Sequence, residues 1–116
     1  MEAGKNVTPA ALMSLPEIGI VFQAFYVKQY IRYVAFWQDR HDEIKRHVYE
    51  LMVEPALSPG LWRARAYVDN KILFSMSASS KWWASRIGGA AFKSYLLRTH
   101  RAAVRTARKS AAAGRK

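Results

Sequence analysis

The sequence predicts a mostly α-helical domain ending in a cationic arm, and three observations carry that prediction. From Glu17 to Glu54 there is no proline and one glycine, Gly19. Within that stretch apolar residues recur in alternating steps of three and four, the spacing of one helix face. Residues 70–116 hold eleven Lys or Arg and no Asp or Glu, amid helix-favouring alanine.

Taken in order, Thr8-Pro9 reads as an N-cap followed by proline at the first helical position, opening a short turn over Ala10 to Leu15. Ser14-Leu15-Pro16-Glu17 has the capping-box pattern, in which Ser14 accepts from the backbone N–H of Glu17 and Glu17 reaches back. The spacing then predicts a long amphipathic helix over about 15–54, as one piece or as two joined near Gln38-Asp39. Its docking stripe is Ile20, Val27, Tyr30, Val34, Ile44, Val48 and Leu51, with Trp37 and His41 in the same series. Lys28, Arg32, Asp39, Asp42 and Arg46 fall roughly opposite, yet Val21, Phe22, Phe25, Tyr26, Tyr33 and Phe36 make the first half apolar well beyond one stripe.

Pro55 to Gly60 is a break of turn-forming residues. After it, residues about 59–76 fit a helix or a hairpin. Trp62, Ala64, Ala66 and Val68 alternate with Arg63, Arg65 and Tyr67, and Asp69-Asn70 suits a tight turn, whereas Ser58-Pro59 with Ala and Arg favours helix. Helix is the reading adopted. Ser77 to Ser80 then supplies a loop and an N-cap for a last helix from about Lys81 into the tail. Its Gly88-Gly89 pair reads equally as a break or, with Ala84 and Ser85 in small-xxx-small spacing, as a place where another helix approaches closely. The domain boundary falls at about 97, giving one small domain over 1–97 and a basic arm over 98–116.

Charge divides the chain in the same way. Residues 1–69 hold eight Lys or Arg and eight Asp or Glu and sum to zero, so the net charge of +11 lies entirely in residues 70–116. Such asymmetry points to a polyanion: nucleic acid phosphates, anionic headgroups or an acidic protein surface. Arg98, Arg101, Arg105 and Arg108 follow i, i+3, i+7, i+10 and share one helical face, with Lys109, Arg115 and Lys116 beyond. Arginine forks match phosphate oxygens bidentately, and a helix dipole needs only one or two terminal cations, not seven. Fifteen aromatics are many for a core this small, so Trp37, Trp82 and Trp83 are read as interface aromatics.

Several classes are excluded. Without cysteine there is no disulfide scaffold and no thiolate site. His41, His47 and His100 lack metal-ligand spacing, and no glycine-rich phosphate loop or nucleophile elbow occurs. No enzyme, cofactor or metal is expected. Residues 1–10 read as neither a secretory signal nor an Arg-rich transit peptide. Ile18 to Trp37 has the length of a membrane span, but Lys28 and Arg32 near its middle cost about 2.5–3.5 kcal/mol each. Both are therefore read as membrane-proximal cations on one face of a helix in an interface or a membrane assembly.

The expected function is that of a non-catalytic accessory or structural subunit of a larger assembly, set in a mitochondrial inner-membrane complex of the respiratory chain or ATP synthase. Expected partners are neighbouring subunits and an anionic lipid such as cardiolipin, contacted by the basic arm. The alternative is an RNA-binding protein of a ribosome, most naturally an organellar one, with the arginine face on RNA phosphates. A DNA-compacting basic protein is a further alternative.

Overall fold

The computed structural model describes residues 8–113. It overturns the mostly α expectation: strand and helix occur in nearly equal shares, around a five-stranded antiparallel sheet. The stretch expected as a helix over 15–54 forms a short 3₁₀ turn (Pro16–Ile18) and three strands, β1 (Gln23–Val27), β2 (Tyr30–Gln38) and β3 (Arg46–Pro55). Residues 59–76, read as helix, form instead the alternative hairpin of β4 (Trp62–Val68) and β5 (Lys71–Ala78). The strands lie in the sheet in chain order.

The reason lies in residue type. Aromatic and β-branched side chains crowd a helix and suit a pleated, half-buried surface. In β2, Ile31, Tyr33, Ala35 and Trp37 are buried while Arg32 and Phe36 are exposed. In β3, Tyr49, Leu51 and Val53 are buried and the residues between them less so. That alternation has the strand period. The helical stripe therefore divides between places. Ile20 and Leu51 enter the core, Ile44 sits exposed in the β2–β3 loop, and Val34 is buried opposite Glu50 in the β2–β3 ladder. Val27 and Tyr30 pair across the β1–β2 hairpin, and Val48 pairs with Phe36.

Two tight turns depend on left-handed backbone. Lys28 has φ 52° between β1 and β2, and Asp69 and Asn70 have φ 52° and 68° between β4 and β5, as a two-residue type I′ hairpin requires. In the longer β2–β3 loop, Asp39 and Asp42 each accept from the backbone N–H two residues on, His41 and Ile44. These local bonds turn the chain where the sequence suggested a charge-laced helix.

One sheet face carries the helices. Short α1 (Pro9–Met13) is capped by Thr8, whose Oγ1 accepts from the Ala11 N–H at 3.2 Å. Ser14 does not open a long helix: its hydroxyl donates to the Ala10 carbonyl and accepts from the Phe22 N–H. The long α2 (Lys81–Thr99) is capped by Ser80, which accepts from the Trp83 N–H at 3.1 Å. It packs across β3, β4 and β5 through Ala84, Gly88, Phe92 and Leu96, spaced by four. Gly88 permits this approach, since a Cβ there would lie 2.8 Å from the Ala64 Cβ. Gly88 serves contact between α2 and the sheet, Gly89 faces Met13 of α1, and the pair does not break the helix.

Candidate polyanion-binding groove

The basic segment is not one continuous helix. α2 ends at Thr99, His100 takes a non-helical conformation, and α3 (Arg101–Ala113) follows as a separate helix. His100 is 8% exposed, its Nε2 lies 2.8 Å from the Tyr49 hydroxyl, and its ring sits 4.5 Å from that of Trp37. Trp37 is itself held by its indole N–H donating to the Ile18 carbonyl at 3.0 Å. Burial, with the charges of His47 and Lys45, holds the His100 imidazole below its ordinary pKa, against the opposing pull of Asp39. The corner is thus a buried neutral aromatic cluster at the far end of the sheet.

α3 is secured by little else. Val104 is buried, and the Arg108 guanidinium meets Glu17 at 3.3 Å beside the 3₁₀ turn. The end of α2 and the first turns of α3 together line an open groove of about 590 Å³. Its lining combines Leu97 and the largely buried Val104 with Arg98, Arg101, Arg105, Arg108 and Lys109. No carboxylate lines it. Among the described residues, Arg108 is the groove cation that pairs with a carboxylate. Clustered cations at a concave surface raise the local positive potential, and guanidinium forks suit phosphate oxygens.

The arginines expected on one helical face therefore meet in one groove although two helices supply them. Arg115 and Lys116 lie outside the described residues. Of the interface aromatics, Trp37 is buried, while Trp82 and Trp83 are half exposed in the first turn of α2, with their rings edge to face at 5.0 Å. Arg86 lies 4.9 Å over the Trp82 ring. Lys28 sits in the exposed β1–β2 turn. Arg32 pairs with Glu50 at 2.7 Å, and the hydrogen bond and charge of that carboxylate raise the guanidinium pKa. The two cations do not share a helix face. Among the described residues no helix is long and apolar enough to cross a membrane.

Sequence reasoning missed the buried polar contacts. Tyr33 donates to Ser85 at 3.1 Å, linking β2 to α2, and burial raises the Tyr33 pKa against the effect of that bond. Tyr49 is raised further by burial. At the far end Asp69 accepts from the Val48 N–H and lies 2.7 Å from His47 Nδ1; the His47 bond first, then the Val48 bond, lower its carboxyl pKa. The His47–Asp69 pair borders an open hollow whose lining contains no Ser, Thr or Cys to serve as nucleophile. With Asp69 committed to the strand end and the turn, the pair clamps β3 to β4. Strand-period alternation and the Asp69-Asn70 turn are the sequence signals that would have located it. Among the described residues no group of three or more His, Asp or Glu is placed to hold a metal. Comparison of the chain with family models, with curated proteins and with solved structures finds no match.

Proposed function

We propose that this chain is a non-catalytic accessory protein of a membrane-associated assembly, and that its α2–α3 groove grips the headgroup of an anionic phospholipid. The observation that supports this reading is the make-up of the groove, in which Leu97 and the edge of the buried Val104 lie among five cationic side chains. A phospholipid presents that combination, with phosphate for the arginine forks and hydrocarbon for the apolar side chains. A nucleic acid backbone needs the cations and not the apolar side chains. The cardiolipin-bearing inner mitochondrial membrane is the setting the charge pattern favours, with association from the membrane surface through exposed side chains.

The reading is tested by partition into phosphatidylcholine vesicles with and without cardiolipin. Each Lys or Arg near an anionic surface contributes about 1 kcal/mol. Arg101→Gln with Arg105→Gln, both exposed positions, then lowers partition into the anionic vesicles by roughly thirtyfold. Equal partition of the variant and the parent would remove the groove from the account.

RNA binding is the second reading, favoured by the sheet face opposite the helices. There Phe25 and Phe36 are 47% and 74% exposed beside Arg32, an arrangement on which bases stack. Its arginines are largely engaged, since Arg32 pairs with Glu50 and both Arg63 and Arg65 pair with Glu54. Phe36→Ala separates the readings, because it weakens RNA binding only if that face is used.

A further inference from the structure

The antiparallel order brings three chain segments together at the end of the sheet where α2 begins: the β1–β2 turn, the β3–β4 loop and the first turn of α2. A shared open hollow confirms their proximity, with Lys28, Pro59, Trp62 and Lys81 among its lining residues. Large apolar side chains at this end stay in solvent. Leu57 is 96% exposed, Tyr26 75%, Trp82 54%, Trp83 51% and Leu61 41%. A 13.2 kDa domain gains nothing in stability by holding them there.

Cations surround them. Lys28 stands in the turn, Lys81 lies 5.5 Å over the Trp62 ring, and Arg86 lies over Trp82. The hollow contains no carboxylate in its lining, and Glu54, on the adjoining end of β3, is held by Arg63 and Arg65. Trp and Leu at the tips of loops, rimmed by Lys and Arg, match a bilayer surface: the apolar groups enter the boundary between headgroups and acyl chains, and the cations remain at phosphate depth. Charge complementarity selects an anionic surface.

We infer that this end of the sheet is a second site, a membrane-inserting tip whose Leu57, Leu61, Trp82 and Trp83 enter the interface of an anionic bilayer. It stands on residues separate from the groove, at the opposite end of α2, about 28 Å away at 1.5 Å per residue over 19 residues. It deepens the membrane reading by naming how the protein seats on lipid, and it survives if the groove binds something else.

The test uses the full chain and vesicles of phosphatidylcholine and phosphatidylserine, with bromine on the acyl chains to quench tryptophan emission. Bound protein is quenched, and Trp82→Phe with Trp83→Phe loses most of the quenching although Trp37 and Trp62 remain. Leu57→Asp, at a side chain with no packing to lose, lowers partition by about tenfold or more. Arg101→Gln with Arg105→Gln leaves the quenching of bound protein intact, which separates the tip from the groove. Salt-sensitive sedimentation with vesicles but no acyl-chain quenching would overturn the tip and leave the groove standing. Quenching by a single-stranded oligonucleotide that Leu57→Asp does not alter would overturn it in favour of base stacking.

Discussion

Substituting the two adjacent glycines of α2 separately should have opposite effects. In a helix interior, Gly→Ala gains about 0.5–1 kcal/mol, because alanine loses less backbone freedom on folding. At Gly89 the nearest atoms to a new Cβ are those of Met13, at 3.6 Å and beyond, which is ordinary contact with a flexible side chain. Gly89→Ala should therefore stabilise the fold by most of that amount. At Gly88 the new Cβ lies 2.8 Å from the Ala64 Cβ and 3.3 Å from Leu51 Cδ1. Carbon atoms prefer about 3.5–4.0 Å, so α2 must lift from the sheet by several tenths of an ångström or more. Overpacking of this kind costs about 1–3 kcal/mol, which outweighs the helical gain. The helical gain is common to both, so the two variants should differ by the overpacking cost, about 1–3 kcal/mol, or about 4–12 °C in Tm for a chain of this size. Thermal and urea unfolding followed by circular dichroism measure the gap. Adding Ala64→Gly should give a favourable coupling of about 1 kcal/mol or more with Gly88→Ala. If Gly88→Ala is as stable as Gly89→Ala, the closeness of α2 to β4 is wrong.

Two further predictions concern the far end of the sheet. His100 stays neutral in the folded chain below its ordinary value of 6.5, so unfolding takes up a proton as pH falls. The stability it contributes is fully present above pH 6.5 and is lost as pH falls toward the folded value, with a slope of up to about 1.4 kcal/mol per pH unit. Urea titrations at pH 7.5 and about 5.5 should show a smaller loss in His100→Gln than in the parent, and equal losses would contradict the buried neutral imidazole. Asp69→Ala removes the acceptor of the Val48 N–H and the His47 contact and puts alanine at φ 52°. It should cost about 2–3 kcal/mol, whereas Asp69→Gly, free of the backbone strain, should cost about 1 kcal/mol less.

Much of the chain's local chemistry was legible in its sequence. The Thr8 cap with Pro9 at the first helical position, the Ser80 cap opening α2 at Lys81, and the acid-free cationic end can each be read from a few neighbouring residues. The central misreading had a physical cause. Ile20, Val34, Trp37 and Leu51 satisfy a helical spacing, while Ile31, Tyr33, Ala35 and Trp37, with Tyr49, Leu51 and Val53, satisfy a strand spacing over the same residues. With apolar residues on both sides, periodicity alone does not discriminate. Density of aromatic and β-branched residues does, and from Phe22 to Trp37 it favoured strands. The Lys28-Gln29 turn was hidden because neither residue is a usual turn former. Asp69-Asn70 signals the hairpin, but the helical propensity of Ala and Arg in β4 opposes that signal. At the break between α2 and α3, His100 meets Tyr49 and Trp37, distant partners that no local pattern reveals.

Binding of an anionic phospholipid in the α2–α3 groove is the proposal on which the membrane reading stands. It is tested most directly by titrating the isotope-labelled protein with a short-chain phosphatidylglycerol and following its amide resonances. A lipid site gives saturable shifts confined to residues 97–109, with Leu97 and Val104 moving together with Arg98, Arg101 and Arg105. Shifts limited to the arginines and reproduced by inorganic phosphate would contradict a lipid site, as would shifts centred on Phe25 and Phe36.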